Sequence, residues 1–301
     1  MDADFQLEPL LARINAAFPS VAFEQARLSP VGQDNAVVIL DEAIAFRFPR
    51  SDEQLAWLPA EMSLLAALQG RSLVATPHYS YVASDGTFGG YRLIQGEEMR
   101  LSAFKAAPRR DQEGVLDGLA GLLRALHDLP LSLLRRADGV TRTNATWAAD
   151  AAERYAKRFR GPLEPHVDPS LLSRLDRFHT AYGDRAWPSE AIIHADIREA
   201  HLLIGPDGAR LNGVIDFGDA AFGDPAYDLT MLWMLGDWAP AFVLDRRGGG
   251  DEALLERSRW SYLRYATGRL ILAIRGDERY VASDLVADLN RHLDAIEPDL
   301  T

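Results

Sequence analysis

His194-Ala195-Asp196-Ile197-Arg198-Glu199-Ala200-His201 is followed, fourteen residues on, by Ile215-Asp216-Phe217-Gly218-Asp219. The first segment has the layout H-x-D-x-x-x-x-N of a phosphoryl-transfer catalytic loop, with His201 where Asn is usual, and the second has the layout of a metal-binding D-F-G. Either alone is a weak signal; in this order they describe one centre. A phosphoryl group in flight needs positioning and charge neutralisation more than covalent chemistry. Asp196 is the group to orient an accepting hydroxyl and take its proton. Asp216 supplies a hard oxygen ligand for a divalent cation on nucleotide phosphates.

Short apolar runs frame both segments. Ala191-Ile192-Ile193 leads into the first, Leu202-Leu203-Ile204 leaves it, and Gly205-Pro206-Asp207-Gly208 turns the chain toward the run that precedes Asp216. Both motifs are therefore expected on loops pinned between short strands, with His194 as a hydrogen-bonding prop of its loop.

Farther out, the chain changes texture. Val37-Val38-Ile39-Leu40, Ile44-Ala45-Phe46-Arg47-Phe48 and Tyr91-Arg92-Leu93-Ile94 read as strands, and residues 60–69 as a helix that Gly70 stops. After Gly96 come long helical patterns over 112–129, 144–159, 169–182, 252–275 and 280–296. In the first of these, Leu116, Leu119, Leu123 and Leu126 share one face. This predicts an α+β fold with a β-rich N-terminal lobe, residues 1–95, that binds nucleotide, and a mostly helical C-terminal lobe, residues 96–301, that carries the catalytic loop and the acceptor site.

Composition agrees. The 301 residues are 48% hydrophobic, enough for two lobes with a substantial core, and the net charge of -12 argues against nucleic-acid or anionic-membrane partners. The absence of cysteine excludes disulfides and thiolate chemistry. Met1-Asp2-Ala3-Asp4 has neither a basic region nor an apolar core, which predicts a soluble cytoplasmic protein, a monomer by default.

At the two motifs the chain resembles the aminoglycoside phosphotransferase family, small-molecule kinases with a protein-kinase-like bilobal fold. His201 and the run Val214-Ile215-Asp216-Phe217-Gly218-Asp219-Ala220-Ala221, followed by Asp224-Pro225 and Asp228, look most like the 2''-phosphotransferases. Macrolide kinases of the same superfamily also carry His at that place. The resemblance implies transfer of the γ-phosphate of GTP or ATP, with Mg2+, to a hydroxyl of an aminoglycoside antibiotic, and a role in antibiotic resistance. It implies that His201 joins Asp216 as a metal ligand, although imidazole is a softer donor than magnesium prefers and could instead orient the site.

The family's strand lysine and helix glutamate correspond to Arg47 and Glu61. Arginine there keeps the charge but changes the geometry. Gly32, in Val31-Gly32-Gln33-Asp34-Asn35, is the nearest match to a phosphate-covering loop. By resemblance Tyr91 lines the back of the purine pocket, which favours GTP, and Leu93 and Ile94 belong to the hinge that pairs with the purine edge. Acceptor candidates are Arg198 and Glu199 in the catalytic loop and Asp237 and Trp238 beyond it, with Trp260, Tyr262 and Tyr265 on the later helix. Only Asp237 is acidic in the apolar stretch 230–238, where an aminoglycoside site calls for carboxylates. That favours the alternative of a macrolide or other small-alcohol kinase. A non-catalytic, pseudokinase-like nucleotide-binding module is the third reading, motivated by Arg47 and the single glycine.

Overall fold

Ala36, Val38 and Leu40 are buried while the residues between them are half exposed, the period-2 pattern of a strand with one covered face. In the computed structural model, which describes residues 5–30, 34–144, 146–249 and 252–297, they lie within an antiparallel sheet. The elements of this region are α1 (Leu7–Ala17), β1 (Ala26–Leu28), β2 (Asn35–Leu40), β3 (Ile44–Pro49), α2 (Asp52–Leu68), β4 (Tyr81–Val82) and β5 (Gly89–Arg92). The strands lie in the order β1-β2-β3-β5-β4. β3 is central, with a paired strand on each edge, and both of its faces are covered by other elements. Phe46 and Phe48 pack with Leu10 and Ile14 of α1 and with Phe88, while Arg47, on the alternate face, meets Glu61 of α2.

α2 begins eight residues before the helix expected from the sequence. Ser51 caps it by accepting the Gln54 N–H at 3.2 Å, and Asp52 and Glu53 complement the helix dipole in the first turn. Pro59 lies inside the helix, where it cannot donate the usual bond to the carbonyl four residues before it. The strand expected over Tyr91 to Ile94 lies earlier, at Gly89–Arg92. Beyond it the chain bends at Gly96, whose φ of 148° disfavours any side chain and where an added Cβ would stand 2.9 Å from the Ile204 carbonyl oxygen.

The rest of the chain is helical apart from two small sheets. In order it holds β6 (Glu97–Glu98), α3 (Leu101–Ala106), α4 (Arg109–His127), α5 (Trp147–Arg154), α6 (Arg160–Leu163), α7 (Pro169–Asp184), β7 (Ala191–Ile193), β8 (Leu202–Ile204), β9 (Leu211–Val214), β10 (Ala221–Gly223), α8 (Trp238–Arg246), α9 (Glu252–Ile274) and α10 (Ala282–Ile296). The pattern over 144–159 divides, because a π turn at Tyr155–Phe159 joins α5 to α6. α4 buries Leu116, Leu119, Leu123 and Leu126 against the sheet β6-β8-β9 and the neighbouring helices. β7 pairs with β10. The segment after α2 is tied to β9 by the Val214 N–H, which donates to the Ala75 carbonyl at 3.0 Å, and by the Ala75 N–H, which donates to Asn212 at 2.9 Å. Among the described residues no helix is long and apolar enough to cross a membrane.

A second core, between α5, α7, α9 and α10, encloses His179, 2% exposed and stacked on Tyr155 with ring centres 3.9 Å apart. Burial, helped by the charge of Arg264, lowers its pKa to about 3. The unfolded chain then takes up a proton near pH 6.5 that the folded chain refuses, so stability falls as pH drops from about 6.5 toward 3. Between pH 7 and 4 the unfolding free energy in urea should fall, with His179 contributing on the order of 3 kcal/mol. His179→Gln should lose that much less over the same interval, and an equal loss in both proteins would remove His179 as the cause.

Candidate active site

β7 delivers the chain to His194, and a buried carboxylate shapes the loop beyond it. Asp228, 0% exposed in the 3-10 run Pro225–Leu235, accepts the N–H of His194 at 2.9 Å and of Ala195 at 2.8 Å. Ala195 is thereby held at φ 72°, a left-handed conformation that costs a non-glycine residue roughly 1–3 kcal/mol. His127 of α4 approaches Asp228 with Nε2 at 2.9 Å, while its Nδ1 meets an Arg247 N–H at 2.7 Å. Since Arg247 can only donate, Nδ1 accepts and Nε2 is left to donate to Asp228. Burial would raise the Asp228 pKa, but the His127 bond and charge, with the loop amide of Ala195, bring it below the ordinary value.

His194 ties the two motifs together. Its Nδ1 accepts the Asp196 N–H at 3.2 Å and its Nε2 donates to the Ile215 carbonyl at 3.1 Å. Burial lowers its pKa, in keeping with the neutral ring that this pair of bonds requires. The Ile215 N–H also donates to the His201 carbonyl at 3.1 Å.

The side chains of Asp196, His201 and Asp216 converge on these loops, each offering a ligand atom within 4.8 Å of the others. His201 Nδ1 lies 2.8 Å from the Asp196 carbonyl, which fixes the proton on Nδ1 and leaves a lone pair on Nε2. Nε2 stands 3.4 Å from Asp216 Oδ2. Adjacent ligand atoms around magnesium are about 3 Å apart, so this pair suits a shared divalent ion. Arg198 also reaches Nε2, through Nη2 at 2.8 Å, and lies 3.2 Å from Asp196 Oδ2, so an ion bound at Nε2 would have to displace this guanidinium. Asp216 sits at φ 66°. Burial pushes its pKa up, but the charge of Arg47 more than offsets this and leaves it lowered. Asp219 moves the other way, raised by burial and by Asp196 and Asp216.

Behind Asp216 lies the strand arginine. Arg47, 5% exposed, donates to Glu61 at 2.5 Å and stands 3.4 Å from Asp216. Tyr79 donates to Glu61 at 3.3 Å and packs edge-on against Tyr91, ring centres 5.3 Å apart. Burial raises the Tyr91 pKa and the charge of Arg47 opposes it, so Tyr91 lies beside this ion-pair cluster. In the segment after β5, the Leu93 N–H donates to Ala43 at 2.8 Å, and Ile94 covers Gly213. Gly32 lies outside the described residues.

Asp196 and Asp219 open into a cleft of about 660 Å³ walled by α5, the 3-10 run and α9. Arg198 and Tyr265 line it. Other acceptor candidates fall elsewhere. Glu199, 5% exposed, is bonded by the Tyr280 hydroxyl and lies 3.4 Å from the Tyr265 hydroxyl. Asp237 pairs with Arg291, away from the cleft, and Trp238 carries the Arg109 guanidinium on its ring and packs on Phe242. The reason is that the apolar stretch before them forms a buried 3-10 run ending at Leu235 and a turn at Gly236, φ 128°, which carries both residues off the cleft. Trp260 and Tyr262 are buried in the second core.

A kinase-like fold with two acidic motifs at the meeting of sheet and helices defines a phosphotransferase class. The model of the phosphotransferase enzyme family, known as APH, matches residues 26–265, and the chain belongs to that family. Among solved structures it is similar to the GDP complex of wild-type aminoglycoside 2'-phosphotransferase-IIIa, at 24% identity and TM-score 0.72, covering 95% of this chain and 98% of that one. The streptomycin-ATP ternary complex of APH(2")-IIa is 18% identical, with TM-score 0.60, over 97% of this chain and 96% of that one. Macrolide 2'-phosphotransferase type I is 25% identical, with TM-score 0.62, over 94% and 96%. No curated protein matches the sequence.

Proposed function

We propose that this protein transfers the γ-phosphate of GTP or ATP to a hydroxyl of a small molecule, with residues 1–95 holding the nucleotide and residues 96–301 the catalytic loop and acceptor. The observation that carries the reading is the convergence of Asp196, His201 and Asp216 on one point beside an open cleft. Asp216 and His201 hold Mg2+, which when bound neutralises charge on the triphosphate. Arg47, kept in place by Glu61 and Tyr79, faces the phosphates as the family's lysine does, and the base meets the backbone around Leu93 and Ile94, where the Leu93 N–H is already taken by Ala43 and only its carbonyl is left to pair. Asp196 receives the acceptor proton. The acceptor oxygen forms its bond to the γ-phosphorus, the bond from that phosphorus to the β,γ-bridging oxygen breaks, and the nucleoside diphosphate leaves with the electron pair. The intact Asp196 and Asp216 favour this over the pseudokinase reading.

Aminoglycosides and macrolides are the acceptors named for the similar structures, and the resemblance brings the aminoglycoside reading to this chain. One observation favours another small alcohol. Arginines outnumber aspartates on the cleft wall, an arrangement that repels several ammonium groups. The test is release of GDP or ADP from GTP or ATP with magnesium across aminoglycosides, macrolides and simpler alcohols. Turnover stimulated by an acceptor supports the proposal; nucleotide binding with no stimulated turnover by any class counts against it.

His201 offers a finer test. His201→Ala should lower apparent metal affinity about 10- to 100-fold, while His201→Asn, which restores a side-chain ligand, should retain most activity. Equal behaviour of all three proteins in a magnesium titration would take His201 out of the site.

A further inference from the structure

α9 contributes Arg264 and Arg269 to the cleft wall, the turn directly after it contributes Arg275, and α5 adds Arg154. The chain holds 30 arginines, but its net charge is -12, so a cleft lined by five arginines and three aspartates runs against the charge balance of the whole. Arg264 is the most telling. It donates to the Tyr227 hydroxyl at 2.5 Å, lies over that ring at 5.1 Å and is also bonded to Tyr182, and among the described residues no ion pair joins it to a carboxylate. Its Nε is buried and bonds to nothing. Arg269 donates to Tyr265 at 2.7 Å, feels the charges of Glu199 and Asp277 only from beyond ion-pair distance, and has an Nε that is likewise buried and unbonded. Taking a guanidinium out of water is repaid only by a charged, hydrogen-bonded partner, and phenols are weak substitutes. The carboxylates in the cleft do not fill the need. Asp196 is engaged by Arg198, Asp219 stands beside Asp196 and Asp216, and Asp150 accepts from the Thr146 hydroxyl at 2.9 Å.

Gly268 lies on the same wall, one turn after Arg264. Glycine inside a helix costs about 1 kcal/mol relative to alanine, and here the nearest atom to an added Cβ would be a Phe159 ring carbon at 4.0 Å. Packing does not demand the glycine; it leaves the helix backbone open to whatever enters the cleft.

We propose that the acceptor is an alcohol bearing an anionic group, a carboxylate or a phosphate, which Arg264, Arg269 and Arg275 bind while its hydroxyl lies at Asp196. A guanidinium fork matches the paired oxygens of both anions. This rests on the phosphotransfer reading only for the fate of the hydroxyl; the anion site itself stands on the arginines.

The experiment therefore has two arms. In the first, thermal shift is measured with inorganic phosphate, acetate and kanamycin, with magnesium and ADP or GDP saturating so that the nucleotide site is filled. Phosphate or acetate should stabilise the wild type, and Arg264→Gln and Arg275→Gln should each weaken that binding about 10-fold or more, as expected for loss of a charge-assisted hydrogen bond. Arg275 is exposed, so its variant folds even if Arg264→Gln does not. In the second arm, sugar acids, sugar phosphates, their neutral parent sugars and aminoglycosides are compared as acceptors. Stimulation by an anionic member and not by its neutral parent, with KM for that acceptor raised in Arg275→Gln and KM for nucleotide unchanged, supports the proposal and tells carboxylate from phosphate. Absence of anion binding, or binding untouched in Arg275→Gln, overturns it even if aminoglycosides turn over. Anion binding lost in the variants, with no turnover of any alcohol, sustains the anion site and counts instead against phosphotransfer.

Discussion

Asp228→Ala should destabilise the protein by about 3–5 kcal/mol, the usual consequence of removing one partner from a buried charged network. The carboxylate is completely buried and serves three donors at once, the amides of His194 and Ala195 and the ring of His127. Alanine leaves all three without an acceptor and removes the negative end of the chain that runs through His127 to Arg247. It also releases Ala195 from its left-handed conformation, so the protein that remains folded should transfer phosphate poorly while still binding nucleotide. Asp228→Asn keeps one acceptor oxygen but turns an amide donor toward another donor, and should fall between. Urea unfolding checks the energy. A loss below about 1 kcal/mol would mean that the loop is held by packing and not by this carboxylate.

Asp216→Asn should have its largest effect on the nucleotide, not on the fold. The Asp216 side chain is 45% exposed, and its ion pair with Arg47 is the longer of the two that Arg47 makes, at 3.4 Å against 2.5 Å to Glu61. Folding stability should therefore stay near wild type. Loss of an ionic ligand to the metal should weaken magnesium-dependent nucleotide binding by about 10²-fold or more, since such contacts are worth several kcal/mol. Calorimetric titration of nucleotide at fixed magnesium gives the comparison. Equal affinity in both proteins would show that the metal is held elsewhere.

Asp196, His201 and Asp216 could be found in the sequence because short strands confine both loops, so that spacing along the chain translates directly into spacing in space. Arg47 and Glu61 were legible for a related reason: a central strand and the helix that follows it have few ways to pack. The brace beneath the loop was not legible in the same way. His127 and Asp228 lie 101 residues apart, and only the packing of α4 on the 3-10 run brings them together. Asp237 and Trp238 are misplaced by sequence reasoning because an apolar stretch such as Thr230-Met231-Leu232-Trp233-Met234-Leu235 looks helical, whereas the 3-10 geometry gives its end a different direction. The arginines of α9 were hidden for another reason. Buried residues lie all around that helix, so no periodicity marks which of its sides opens on the cleft.

The most discriminating measurement is single-turnover phosphate transfer by Asp196→Asn beside the wild type, with nucleotide affinity measured in the same preparations and with the acceptor that the panel identifies. If Asp196 takes the proton of the acceptor hydroxyl, the variant should bind magnesium nucleotide as tightly as the wild type and transfer phosphate about 10²- to 10⁴-fold more slowly, the usual contribution of a positioned general base. Transfer at the wild-type rate, or a loss of nucleotide binding that accounts for the whole decrease, would contradict that role.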